Sequence, residues 1–377
     1  LLGTFLVRSG VLSSVHAFAS DPKRGLFILG FLALVVGASL ALFAWRAPKI
    51  GLGARFAMLS KETLLLLNNV LLLVATGAVL LGTLYPLALD ALGLGKISVG
   101  APYFETVFVP LMAPLVFLMG VGPLARWKQA TLPDLRTRLR WALGVAVAAA
   151  LLAGWAAGHI GVAATLGLAM AFWIVASVAT DLVERLRPRA VPGDSVAARW
   201  RLLPRALLGM MVAHLGVAAF ILGVTMVRSF EVERDVKMDV GDTTTARGYT
   251  FTFRGTEDID GPNYQAARGL VEVSRAGRLV ATLHPEKRVY RVQSNPMTEA
   301  AIDAGLTRDL YVSLGEPLEG RAWTVRVYIK PYIDWIWGGC GLMALGGLLA
   351  VSDRRYRSAH PKASAMTTVP ASGEVPA

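Results

Sequence analysis

The chain has 377 residues, 54% hydrophobic and 17% charged, with a mean hydropathy of +0.53, which is too apolar for a soluble globular protein or a disordered one. Its formal net charge of +12 would suit nucleic acid, but the surplus sits largely in short basic connections between apolar runs, so nucleic acid is excluded as a partner. With the single cysteine Cys340, neither an intramolecular disulfide nor a C-x-x-C redox pair can form.

The first 25 residues, LLGTFLVRSGVLSSVHAFASDPKRG, form a polar patch with one histidine, His16. Its imidazole is either a ligand for an iron porphyrin or an ordinary member of a membrane-edge loop. Arg8 in the same patch either neutralises a haem propionate or anchors a helix end at the headgroups. Apolar runs long enough to cross a bilayer then fall at 26–45, 64–85, 104–125, 141–157, 160–180, 206–227 and 332–351. Asn68 and Asn69, inside the second run, are expected to bond neighbouring helices.

Short loops rich in Lys and Arg stay in the cytoplasm. Arg46, Lys49, Arg55 and Lys61 mark one such connection, Arg126 to Arg140 a second, Arg185 to Arg205 a third, and Arg354, Arg355 and Arg357 the tail. The alternation predicts a multi-pass protein with His16 and residues 228–331 together on the opposite side. His159 and His360 have no motif around them.

His214 lies near the centre of the sixth run, about 21 Å along the axis from Arg228 at a rise of 1.5 Å per residue. An ionisable ring at that depth needs a partner: it either bonds a neighbouring helix or ligates something flat and apolar, such as a porphyrin. Gly209, Gly216 and Gly223 recur every seven residues on a different face and predict close helix packing.

From residue 228 the pattern shortens and alternates, predicting strands at 249–254, 270–275, 278–283, 287–292, 309–313 and 323–329. Ala276-Gly277 reads as a hairpin turn and Gly261-Pro262-Asn263 as a loop. His284, next to Pro285, reads as a loop residue. The expected fold class is thus a polytopic α-helical membrane protein with an inserted small all-β domain. Its parts are a membrane domain (1–227, six spans), a periplasmic β-rich domain (228–331), a seventh span (332–351) and a disordered cytoplasmic tail (352–377).

Three stretches carry a resemblance. GTFLVRSGVLSSVHAFASDP (3–22), NPMTEAAIDAGLTRDLYVSLGEP (295–317) and KPYIDWIWGGCGLMALGGLLAVSDRR (330–355) resemble, in order, the bacterial cytochrome c maturation haem lyases of the CcmF and NrfE type. The resemblance implies a haem lyase of the bacterial inner membrane that joins haem to the C-x-x-C-H cysteines of apocytochrome c by thioether bonds. It implies His16 as the periplasmic ligand of incoming haem, and His214 as one of two axial ligands of a resident haem b, with Arg8 added as a propionate contact. The implied partners are a CcmE-type haem chaperone, apocytochrome c with its CcmH/CcmI-type thiol-handling chaperones, and the lipid bilayer. The chain opens inside the first motif, so the second axial ligand and a tryptophan-rich signature are expected upstream of Leu1. Two other classes stay open on the residues alone: a haem exporter and a non-catalytic scaffold of the maturation complex.

Overall fold

The computed structural model describes residues 1–8, 22–49, 57–95, 97, 99–158, 161–188, 195–291 and 293–353. Seven of its helices are long and apolar enough to cross a membrane, so the expected multi-pass class with an inserted β domain is what the chain adopts. The chain divides into two compact units, 1–140 and 141–377.

In the first unit, α1 (Leu2–Arg8) packs on α2 (Pro22–Arg46), and α3 (Lys61–Ala91) is followed by α4 (Ala101–Val121). Ser60 caps α3, its hydroxyl accepting from the Thr63 amide at 3.2 Å. Gly82 admits α4 against α3: a β-carbon there would run into the Tyr103 ring, whose hydroxyl donates to the Ala78 carbonyl at 2.9 Å. At the other end of the pair, Ala57, Lys61 and Ala130 donate backbone amides across to Lys128, Arg126 and Leu59. Two of the basic connections are therefore stitched together at one end, as the charge alternation predicted. Asn68 and Asn69, by contrast, share a hydrogen bond with each other on an exposed part of α3, so this contact runs along the helix and not between helices.

The second unit begins within α5 (Leu132–Ala156) and continues through α6 (Val162–Leu186), the short α7 (Val196–Leu202) and α8 (Arg205–Phe230). After the β domain comes α9 (Ile333–Val351), which packs along α8. Gly209, Gly216 and Gly223 form the contact, as the seven-residue spacing predicted. A β-carbon at Gly209 would lie 2.5 Å from the Gly346 carbonyl oxygen, and one at Gly216 2.7 Å from that of Gly339, so the two backbones touch. Asp353, buried beyond the end of α9, accepts from the Ala206 amide at 2.9 Å and closes the start of α8, which has no side-chain cap of its own.

The β domain is a sandwich. One sheet runs β1-β10-β9-β8 (Val232–Met238, Trp323–Lys330, Asp309–Pro317, Ala301–Asp303), all antiparallel. The other runs β2-β3-β4-β6-β7 (Thr243–Ala246, Tyr249–Asp260, Tyr264–Arg275, Glu286–Tyr290, Gln293–Glu299), with β5 (Arg278–Leu283) also on β4. Alternate residues point inward, so Phe251, Phe253, Val271 and Val273 meet Leu310, Val312, Leu314, Val325 and Val327 in a core with 0% exposure. Ala276 and Gly277 have φ of 48° and 76°, the left-handed pair that a two-residue hairpin of this twist requires. Only Glu231 separates α8 from β1, and only Pro331 and Tyr332 separate β10 from α9.

Candidate functional site

His214 is half-buried in the middle of α8. Its Nδ1 lies 2.8 Å from the Met210 carbonyl oxygen one turn earlier. A carbonyl can only accept, so Nδ1 carries the proton and the Nε2 lone pair is the one available to a metal. The hydrogen bond also fixes the ring plane. At 100° per residue, the glycine face toward α9 and the Met211, Ala218, Thr225 face lie on opposite sides of α8. Met211 and Ala218 are buried, and Thr225 is the residue that meets Gly167 of α6. His214 stands about 40° from the centre of this second face, at its border with a flank carrying Met210, Val217 and Ile221.

One neutral imidazole of fixed tautomer beside an apolar flank is a donor that fits a haem iron. Among the described residues, no group of three or more His, Cys, Asp or Glu could hold a bare metal ion.

His16 lies outside the described residues, as does His159. Arg8 ends α1, and its side chain is outside them too. His284 is exposed between β5 and β6, and Cys340 is exposed on α9. Of the expected haem-site side chains, that of His214 is the one within the described residues.

Two buried polar residues of α6 were not expected from the sequence. Ser177 and Asp181 are 3% and 4% exposed, and Asp181 Oδ1 accepts from Arg185 Nε at 2.8 Å. The sequence reading ended this span at Thr180, whereas the helix continues to Leu186. The available signal was the Asp181–Arg185 spacing of four residues, which continues a helix beyond its apolar part.

On the sandwich, a cavity of about 270 Å³ opens among Tyr311, Ser313, Thr324, Arg326 and Tyr328. Two of its polar side chains, Arg326 and Tyr328, are already engaged. Arg326 makes two 2.6 Å bonds to Asp235, holding that carboxyl below its usual range, and Tyr328 donates to Glu233 at 2.6 Å. Burial and the Glu233 bond push the Tyr328 phenol up to about 12, so it stays a neutral donor.

These features define a class: a multi-pass membrane protein with an extramembrane β-sandwich set between two glycine-packed helices, and a lone tautomer-fixed histidine in one of them. Residues 229–331 match the family model described as the CcmF C-terminal beta-sandwich. The chain is 52% identical over 364 residues to the cytochrome c-type biogenesis protein CcmF of Pseudomonas aeruginosa, and 48% identical over 358 residues to that of Escherichia coli; each alignment covers 95% of this chain and 54% of the relative. It is 34% identical over 364 residues to NrfE of Haemophilus influenzae, with the same coverage. A solved structure named Cytochrome c Heme Lyase CcmF shares the fold, with a TM-score of 0.67 at 24% identity over 89% of this chain and 52% of that one. The chain belongs to the CcmF/NrfE family, and it spans about half the length of the curated relatives it matches.

Proposed function

We propose that this chain is part of a cytochrome c haem lyase of the bacterial inner membrane, with its β-sandwich in the periplasm. The reaction joins each thiol of a C-x-x-C-H motif to a haem vinyl group. Sulfur bonds to one vinyl carbon and hydrogen is added to the other, so no oxidant is consumed. The substrates must arrive reduced and in a fixed orientation, and the protein's contribution is positioning. Haem comes from a CcmE-type chaperone, and apocytochrome c from thiol-handling chaperones of the CcmH/CcmI type.

His16 takes the iron of incoming haem at the water-accessible edge. Arg8 meets a propionate there. His214 would hold a resident haem b through Nε2, and that group, when bound, would supply the redox chemistry that keeps incoming iron reduced. The observation that carries the reading is the His214–Met210 hydrogen bond: it presents the required ligand atom in a chain whose relatives are named for cytochrome c biogenesis.

The test is spectroscopic. His214→Ala in the native protein removes or shifts the reduced haem absorption, whereas His16→Ala leaves that spectrum in place and abolishes most covalent cytochrome c formation. An unchanged spectrum and haem content in His214→Ala defeats the assignment. Exogenous imidazole partly restores the yield of His16→Ala, because it occupies the vacated iron position.

A further inference from the structure

Helix α6 holds buried polar atoms that the ligand role does not use. The Ser177 hydroxyl and the Asp181 Oδ2 are buried with no hydrogen-bond partner among the described residues, while Asp181 Oδ1 is bonded to Arg185. A buried carboxylate with one unsatisfied oxygen is costly, and such a group calls for a functional explanation.

Helix register brings it to His214. Gly167 near the start of α6 meets Thr225 near the end of α8, and the end of α6 is bonded to α7, which leads into the start of α8, so the two helices run antiparallel. Eleven residues separate Thr225 from His214; eleven residues on from Gly167 is Val178, which lies between Ser177 and Asp181. The imidazole folds back toward Met210, and therefore toward the level of Asp181.

We propose that Asp181 is a positioning residue that sets the reduction potential of the haem held by His214, a step that rests on the haem reading above. Reduction adds an electron to the iron. A negative charge nearby in low dielectric stabilises the oxidised form and lowers the potential. The positive charge of Arg185, bonded to the other carboxylate oxygen, opposes that effect. Purely structural roles for these residues would alter stability without giving potential shifts of opposite sign.

The experiment is a spectroscopically monitored redox titration of the purified native protein and three variants. Asp181→Asn raises the potential, Asp181→Glu returns it toward the wild-type value, and Arg185→Gln lowers it. Should Asp181→Asn fail to accumulate, Arg185→Gln alone decides. Haem-loaded variants with an unmoved potential, or with Asp181→Asn and Arg185→Gln shifted in the same direction, overturn the inference. Wild-type protein without haem overturns instead the haem reading on which it rests.

Discussion

The sandwich and the helical layer are both rich in apolar residues, yet they are held in different ways. In the sandwich, the large apolar side chains are withdrawn completely: Phe251, Phe253, Leu310 and Leu314 are all 0% exposed. The helices turn theirs outward, with Phe27, Leu73 and Leu152 more than 60% exposed, and touch each other through glycine. Water drives the first arrangement by the hydrophobic effect. Lipid is as apolar as leucine and rewards only close van der Waals approach in the second. Small residues are thus the cohesive ones in the helical layer and large residues in the sandwich.

Removing a large side chain from the sandwich gives the largest effect. Phe251→Ala is expected to destabilise the domain by about 3–5 kcal/mol, read from denaturant unfolding followed by tyrosine signals, while helical circular dichroism survives. Loss of both signals in one transition would break the contrast. Adding a small group to the helical layer comes next. Gly346→Ala puts a β-carbon 2.5 Å from Gly209 O and Ala213 N, and is expected to cost about 1–3 kcal/mol in detergent unfolding. Gly347→Ala, with nothing within 4 Å, is the control and is expected to be neutral.

Charge sharpens the comparison further. Burial alone would raise the Glu286 carboxyl, but hydrogen bonds from Arg288 and Arg268 outweigh it and hold the group below its ordinary range. A depressed carboxyl stabilises the fold above its unfolded value, and that contribution is lost as pH falls through the folded one. Glu286→Gln is therefore expected to lose about 2 kcal/mol at pH 7, with the difference from wild type shrinking through the acid limb of a stability–pH curve. Asp309 has the opposite sign: burial, with Asp334 and Asp303 nearby, raises its carboxyl, so its contribution improves as pH falls. The smallest effect belongs to the exposed Arg326–Asp235 pair. Arg326→Gln is expected to cost under about 1 kcal/mol and to be indistinguishable from wild type at 1 M salt.

The spans were legible because a bilayer demands about 20 apolar residues in a row, and a run of that length has few other uses. Strands β3, β4, β5, β6, β9 and β10 were legible in part from alternation, and Ala276-Gly277 from its turn chemistry. β1 was not: VERDVKM carries charges at an edge, where only one side of the strand is paired. Nor was β7, whose Pro296 is tolerated because the strand lies at the end of its sheet. Helices α1 and α7, at 7 residues each, are too short to show a period. His214 was visible as an isolated polar residue in an apolar run. The burial of Asp181 was not visible, because it depends on how helices align, and periodicity within one helix says nothing of register against another.

The junctions at Glu231 and at Pro331-Tyr332 have a mechanical consequence. The strand pair β1–β10 stays in register from Val232 opposite Ile329 to Met238 opposite Trp323, and it continues almost without slack into the helix pair α8–α9. Trp335 of α9 is in turn tied to the sandwich through its indole nitrogen, 3.0 Å from the Leu306 carbonyl. The two pairs form one double strut clamped at its base by glycine contacts. With so little chain at the junctions, the sandwich cannot swing independently of the helix that carries His214.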